Sequence, residues 1–209
     1  RPAPAFAPAE YLKRRLVPWG EYLPMEKLVP PMRRWFPEAG RLTAGDSGNE
    51  LTVRYAAMPA FRANTERLKE DVSMLSVPEK IRARYPRPQY TGQVTVKPLL
   101  CYEALFPSDS RVDEAGLIVN LASDAWFGDG IEGEQHATAV ALRAVENGVP
   151  MLRAAMSGVS FMVDARGEDL AERSGQGRPA VLHADIPLAS RKTVFARFGM
   201  AAFYALMAA

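Results

Sequence analysis

Cys101 is the residue around which chemistry can be built. It directly follows the apolar run 93–100 (QVTVKPLL) and precedes Tyr102-Glu103-Ala104-Leu105-Phe106-Pro107. A thiol on a sharp turn at a strand end is exposed, and the next backbone N–H is left to stabilise an oxyanion. The competing reading is a buried structural thiol, since free cysteine is among the most buried residue types. Glu103 speaks against it, because a carboxylate beside an inert core thiol needs another reason to be there. A cysteine nucleophile needs a base, and histidine is the usual one. His136, at the start of a helical stretch, and His183, in a late strand, lie in no recognisable catalytic pattern and read as packing or surface residues. The other solution is a carboxylate base with a lysine partner, whose ammonium lowers a thiol's pKa and then stabilises a tetrahedral oxyanion. Lys13 stands out because the loop 16–24 (LVPWGEYLP) follows it with Glu21 inside; taken alone, it reads as a surface charge of Lys13-Arg14-Arg15.

These side chains need a frame to position them. Alternation in 51–57 (LTVRYAA) and the apolar runs 93–100 and 116–121 (GLIVNL) predict strands, as do 151–163 and 180–186. Residues 132–147 carry Ala137, Val140, Ala141 and Val145 at helical spacing and stop at Gly148-Val149-Pro150. Residues 58–92 are polar, with helical spacing over 61–76 and a Pro-punctuated stretch after it, and read as an insertion between two strands. Residues 25–37 mix Val29, Met32, Trp35 and Phe36 with Arg33 and Arg34, which suits either a packed loop or an arm touching a membrane. The alternation of strands and helices predicts an α/β layered fold.

Composition bounds the rest. The chain has 209 residues, 48% hydrophobic and 24% charged, enough apolar material for a real core. A net charge of +2 argues against a dedicated nucleic-acid binder. The single cysteine allows no intrachain disulfide, and with only two histidines the usual Cys/His zinc sites are excluded, so no metal or cofactor is expected. The start, RPAPAFAPAEY, lacks the pattern of a signal peptide. The closing stretch 199–209 (GMAAFYALMAA) has no charge and follows Arg191, Lys192 and Arg197. It is shorter than the roughly 20 residues that cross a bilayer, and reads as a core helix or as the first part of a membrane helix.

Four motifs, in order, resemble one family. The stretch 11–24 (YLKRRLVPWGEYLP) is similar to the Tyr-x-Lys-x-x-Leu-Val-Pro-Phe-Gly-Glu-Tyr-x-Pro motif of bacterial apolipoprotein N-acyltransferases, membrane enzymes whose catalytic domain belongs to the nitrilase superfamily. Residues 101–107 resemble that family's Cys-Tyr-Glu-x-x-Phe-Pro, and 120–128 its Asn-x-x-x-Asp-Ala-Trp-Phe-Gly. Gln135-His136, Arg143-Ala144-x-Glu146 and Pro150-x-Leu152-Arg153-Ala154 follow at the family's spacing, and Phe195 to Gly199 resembles the lead into its last membrane helix.

The resemblance implies an α/β fold: a nitrilase-like αββα sandwich over residues 1–198, incomplete at the N-terminus, with an insertion at about 56–92. The start of a transmembrane helix would follow at 199–209. It implies Cys101 as nucleophile and Lys13 as the oxyanion-stabilising lysine, with Glu21, Tyr102 and Glu103 in support. Glu21 and Glu103 would hold Lys13, and the Tyr102 N–H would face the oxyanion. The implied reaction moves an acyl chain from a phospholipid, through a cysteine thioester, to the α-amine of a lipoprotein's diacylglyceryl-cysteine. The implied location is the bacterial inner membrane, with the catalytic domain on the periplasmic side. The family's general-base Glu lies on an earlier strand; here the only carboxylate before Lys13 is Glu10, three positions away, so that base is not in this chain. Loss of a base predicts that the chain alone is inactive. Ala122-Ser123 and Met156-Ser157 depart from the family's more polar residues. A soluble amidase of the same superfamily, or an inactive fragment or binding module, are the alternatives.

Overall fold

A computed structural model describes residues 10–46, 50–55, 92–188 and 193–208. The chain forms two compact units, one of residues 1–51 with 95–209 and one of residues 52–94. The described part of the second unit is most of strand β1 (Leu51–Tyr55) and the first residues of β2 (Gly92–Leu100). The predicted insertion at 56–92, with its helix over 61–76, lies almost wholly outside the described residues.

In the first unit, β2 is followed by β3 (Leu117–Ser123), β4 (Met151–Met156) and β5 (Phe161–Val163). The sheet runs in sequence order, with β2, β3 and β4 parallel and β5 antiparallel to β4. Val96 stands opposite Leu117, and Ser123 opposite Met156. The helix between β3 and β4 spans Glu132–Asn147 (α3, after the single turns α1, Met32–Trp35, and α2, Pro107–Ser110). It lays Ala137, Val140, Ala141 and Ala144 on Leu99, Ile118, Met151 and Phe161, all buried. Small residues on that helix face let it approach the sheet closely, and the parallel strands it covers are apolar runs for the same reason. Gly148 ends the helix in the left-handed conformation, φ 68°, with its N–H on the Ala144 carbonyl.

The predicted 151–163 strand is two strands. Ser157 adopts φ 62°, and the chain reverses at Ser157-Gly158, which the apolar pattern on both sides concealed. The predicted strand at 180–186 is irregular, and among the described residues no strand pairs with it. Residues 25–37 are packed in part, as the loop reading expects. Met32 is buried with Leu23 and Ala39, and Val29 packs on that cluster, while Leu28 and Trp35 face outward. Arg33 anchors the segment through Glu26 and the Ala39 carbonyl. At the C-terminal end, α4 (Val194–Phe198) is capped by the Thr193 hydroxyl and tied down by Arg111, which donates to the Ala196 and Arg197 carbonyls. Helix α5 (Met200–Met207) follows, with Phe203, Tyr204, Leu206 and Met207 exposed. Among the described residues no helix is long and apolar enough to cross a membrane.

Candidate active site

The end of β2 turns abruptly. Cys101 has φ 50° and opens a short 3-10 helix, Cys101–Leu105. A left-handed conformation costs a non-glycine residue about 1–2 kcal/mol, so something must hold it. The holder is Glu103, which is buried and accepts the Leu100 N–H at 2.7 Å, across the turn. The Cys101 thiol is half-buried and donates to the Ser123 carbonyl, at the end of β3, at 3.8 Å. Tyr102 meets the Phe106 ring edge-on, with centroids 4.9 Å apart, and the Arg15 guanidinium lies 3.9 Å over the same ring. Arg15 is also paired with Asp109, which raises its pKa further above the solution range.

Lys13 is held by a different carboxylate. Its ammonium donates to Glu21 Oε1 at 2.7 Å and to Oε2 at 2.8 Å, and Glu21 Oε2 also accepts the Val17 N–H at 2.7 Å. The 16–24 loop therefore folds its own carboxylate back onto the lysine that precedes it. The chain at 40–45 runs alongside, its Gly45 N–H on the Lys13 carbonyl at 2.8 Å and its Leu42 N–H on the Glu21 carbonyl at 3.0 Å. Gly40 must be glycine there, since a Cβ would lie 2.8 Å from the Glu21 carbonyl oxygen.

Glu103 joins the two parts. Besides Leu100 it accepts the Tyr11 hydroxyl at 3.0 Å, the Arg14 N–H at 2.6 Å and the Arg15 N–H at 3.3 Å. The expectation that Glu103 shares the Lys13 ammonium with Glu21 is thus corrected. Glu103 grips the backbone on the C-terminal side of Lys13 and the hydroxyl on the N-terminal side, and Glu21 takes the ammonium. Burial, together with the Glu103 charge, pushes the Tyr11 hydroxyl up to about 12, so it remains a donor.

Beneath the turn lies a buried polar network that joins residues from three of the family-like motifs. Arg153 on β4 donates to Asn120 Oδ1 at 2.5 Å, to Asp124 Oδ2 at 2.6 Å and to the Val159 carbonyl at 3.1 Å. Asn120 donates in turn to the Leu99 carbonyl at 3.0 Å. His136 Nδ1 meets Asp124 Oδ1 at 2.8 Å and Arg153 Nη2 at 3.2 Å. His136 is therefore neither simple packing nor surface; it closes an ion network, while His183 is exposed. Burial pushes the Asp124 carboxyl up, but the His136 hydrogen bond and the Arg153 charge outweigh it and hold it below its ordinary range. The signal in the sequence was Arg153 itself, a charge inside the apolar run Met151–Met156. Glu10 is exposed, and among the described residues no group of His, Cys, Asp and Glu could hold a metal ion.

Comparison with known proteins adds a pedigree to this geometry. Residues 9–194 match the family model described as carbon-nitrogen hydrolase. The chain is 33% identical over 208 residues to apolipoprotein N-acyltransferase 1 of Leptospira interrogans, covering 90% of this chain and 34% of that protein. It is 32% identical over 199 residues to the apolipoprotein N-acyltransferase of Caulobacter vibrioides, covering 94% of this chain and 31% of the other. The chain thus spans about a third of the length of the curated relatives it matches. A solved structure, the NitN amidase from Neterenkonia sp. AN1, aligns in part: 27% identity, 54% of this chain and 49% of that one, TM-score 0.39.

Proposed function

The chain belongs to the carbon-nitrogen hydrolase family, and on that premise we propose that it is the catalytic part of a phospholipid-dependent apolipoprotein N-acyltransferase. The observation that carries the reading is similarity over about nine-tenths of the chain to relatives of that name, beside a family match over 9–194 that spans Lys13, Glu21 and the Cys101-Tyr102-Glu103 turn. Physically, the Glu103 clamp supports it, because a nucleophile and a lysine from distant segments share one rigid anchor.

The proposed steps follow from these groups. The Cys101 thiol loses its proton to the family's general base, a carboxylate that precedes the Lys13 segment in the parent protein. The thiolate attacks an ester carbonyl of the phospholipid, and its oxygen takes the charge. Lys13, oriented by Glu21, and the Tyr102 N–H, at the open start of a helical turn, stabilise that oxyanion. The ester C–O bond breaks, and the lysophospholipid leaves as an alcohol with the proton from the base. The acyl group then rests on Cys101 as a thioester. The α-amine of a diacylglyceryl-cysteine attacks it, an amide forms, and the amine's proton restores the thiol. Donor and acceptor are both lipids, so the reading places the reaction at the bacterial inner membrane, on its periplasmic side. No cofactor enters these steps.

The test is an acyl-enzyme measurement on the intact parent protein with phosphatidylglycerol. Intact mass should gain one acyl chain, removable by neutral hydroxylamine and absent in Cys101→Ala. A peptide with an N-terminal diacylglyceryl-cysteine should then discharge it and gain the chain. An unmodified wild-type protein that instead hydrolyses short amides would overturn the reading in favour of an amidase.

A further inference from the structure

A cavity of about 340 Å³ lies at the β4–β5 reversal, lined by Met156, Ser157, Ser160, Ser174, Arg178 and small neighbours. Its chemistry is one-sided. No carboxylate lines it. Ser160 Oγ accepts the Ala155 N–H at 3.0 Å, and Ser174 Oγ accepts the Ser160 N–H at 2.7 Å. Each hydroxyl is thereby fixed through a lone pair, with its own proton left to donate. Arg178 adds a guanidinium, and among the described residues no carboxylate pairs with it. Asp124 does lie behind the wall, where a Cβ on Gly158 would sit 2.0 Å from Oδ2, but Arg153 and His136 already take its charge.

A second observation points the same way. Ser157 is a non-glycine residue at φ 62°, its carbonyl fixed by the Gly177 N–H at 3.2 Å. Such strain persists only where the surroundings enforce it, and it gathers at ligand sites. It sets Ser157 in the cavity lining beside Ser160 and Ser174. Hydroxyl donors and a guanidinium, which can grip two oxygens at once, without an acceptor charge, suit a tetrahedral oxyanion. The apolar rim of Ala155, Met156, Pro179 and Ala180 suits an esterified phosphate.

The place is also telling. Met156 is the register partner of Ser123, whose carbonyl the Cys101 thiol touches, so the cavity begins one strand spacing from the nucleophile's neighbour. We propose that this cavity binds the phosphodiester of the acyl donor, with Arg178 and the Ser157, Ser160 and Ser174 hydroxyls as its ligands. The proposal rests on the acyltransferase reading and adds a headgroup subsite to it.

The test is steady-state acyl transfer by the intact protein from phosphatidylglycerol in detergent micelles. Arg178→Gln should raise KM about tenfold, the loss of one charge-assisted contact, with kcat within twofold. Arg178→Lys should fall between the two. Arg166→Gln removes an exposed charge away from the cavity and should leave KM within twofold. sn-Glycero-3-phosphoglycerol should inhibit the wild type competitively, with an inhibition constant about tenfold weaker in Arg178→Gln. An unchanged KM and inhibition constant in Arg178→Gln would sink the subsite. Inorganic phosphate inhibiting as well as the diester would make it a free-anion site and overturn the headgroup assignment. If the wild type transfers no acyl chain, the acyltransferase reading fails by itself. Calorimetric titration of the same diester against wild type and Arg178→Gln then still decides whether the cavity holds it.

Discussion

Glu103 is a buried carboxylate with donors from both sides of the site: the Tyr11 hydroxyl and the Arg14, Arg15 and Leu100 amides. Glu103→Gln keeps the shape and replaces one acceptor oxygen with an NH2 group that faces other donors. Leaving buried amides unsatisfied costs about 1–3 kcal/mol each, so a loss of about 2–4 kcal/mol is expected in denaturant titration. The Cys101 acyl adduct should form more slowly in step with it, because the turn and the Lys13 segment lose their shared anchor. Cys101, Tyr102 and Glu103 were legible in the sequence as a turn after an apolar run. The division of labour between Glu21 and Glu103 was not, because it depends on which backbone amides reach which carboxylate.

At the scale of elements, β3, β4 and α3 are joined by Arg153, Asp124, His136 and Asn120. Removing one partner of a buried ion pair leaves a charge without compensation and costs about 3–5 kcal/mol. Arg153→Met is therefore expected to lower stability by about that much, and Arg153→Met with Asp124→Asn to recover part of it, since the orphaned charge is then gone. A double variant no more stable than the single one would remove the buried charge from the explanation. The strands and α3 were readable from apolar runs and helical spacing, and α3 occupies the expected 132–147. The reversal at Ser157 was not readable, because serine gives no sign of a positive φ. The residue after it is glycine because a Cβ there would meet the Asp124 carboxylate at 2.0 Å.

At the scale of the whole chain, ionisation sets limits on both sides of neutral pH. Asp124 holds its proton less tightly folded than unfolded, so its contribution is present above its ordinary value of 3.8 and lost as pH falls through the lower folded value. Burial raises the Glu146 carboxyl above 4.5, with Arg143 opposing it, and its contribution has the opposite sign: full below 4.5 and lost as pH rises. Tyr11 holds its proton more tightly when folded. Its contribution is full below 10.0 and lost as pH climbs towards about 12. Thermal melts across that alkaline range should show a steeper decline for the wild type than for Tyr11→Phe; parallel curves would show that the Glu103 contact does not govern the limit. The α/β class and the family were legible because several short motifs keep their order along the chain. The network and the cavity were not, since they join residues whose meeting only the folded sheet arranges. The anchor at Glu103 also has a consequence in time. Arg14 and Glu103 stand 89 positions apart, and a ribosome adding about 5–20 residues per second takes on the order of ten seconds to cover that interval. Through that wait the lysine segment has its local partner Glu21 but not the Glu103 carboxylate to dock on. The thiol at Cys101 then emerges two residues ahead of the group that fixes its turn. The reactive sulfur and the carboxylate that bridges its turn are thus made almost together, while the Ser123 carbonyl that the thiol meets follows 22 positions later.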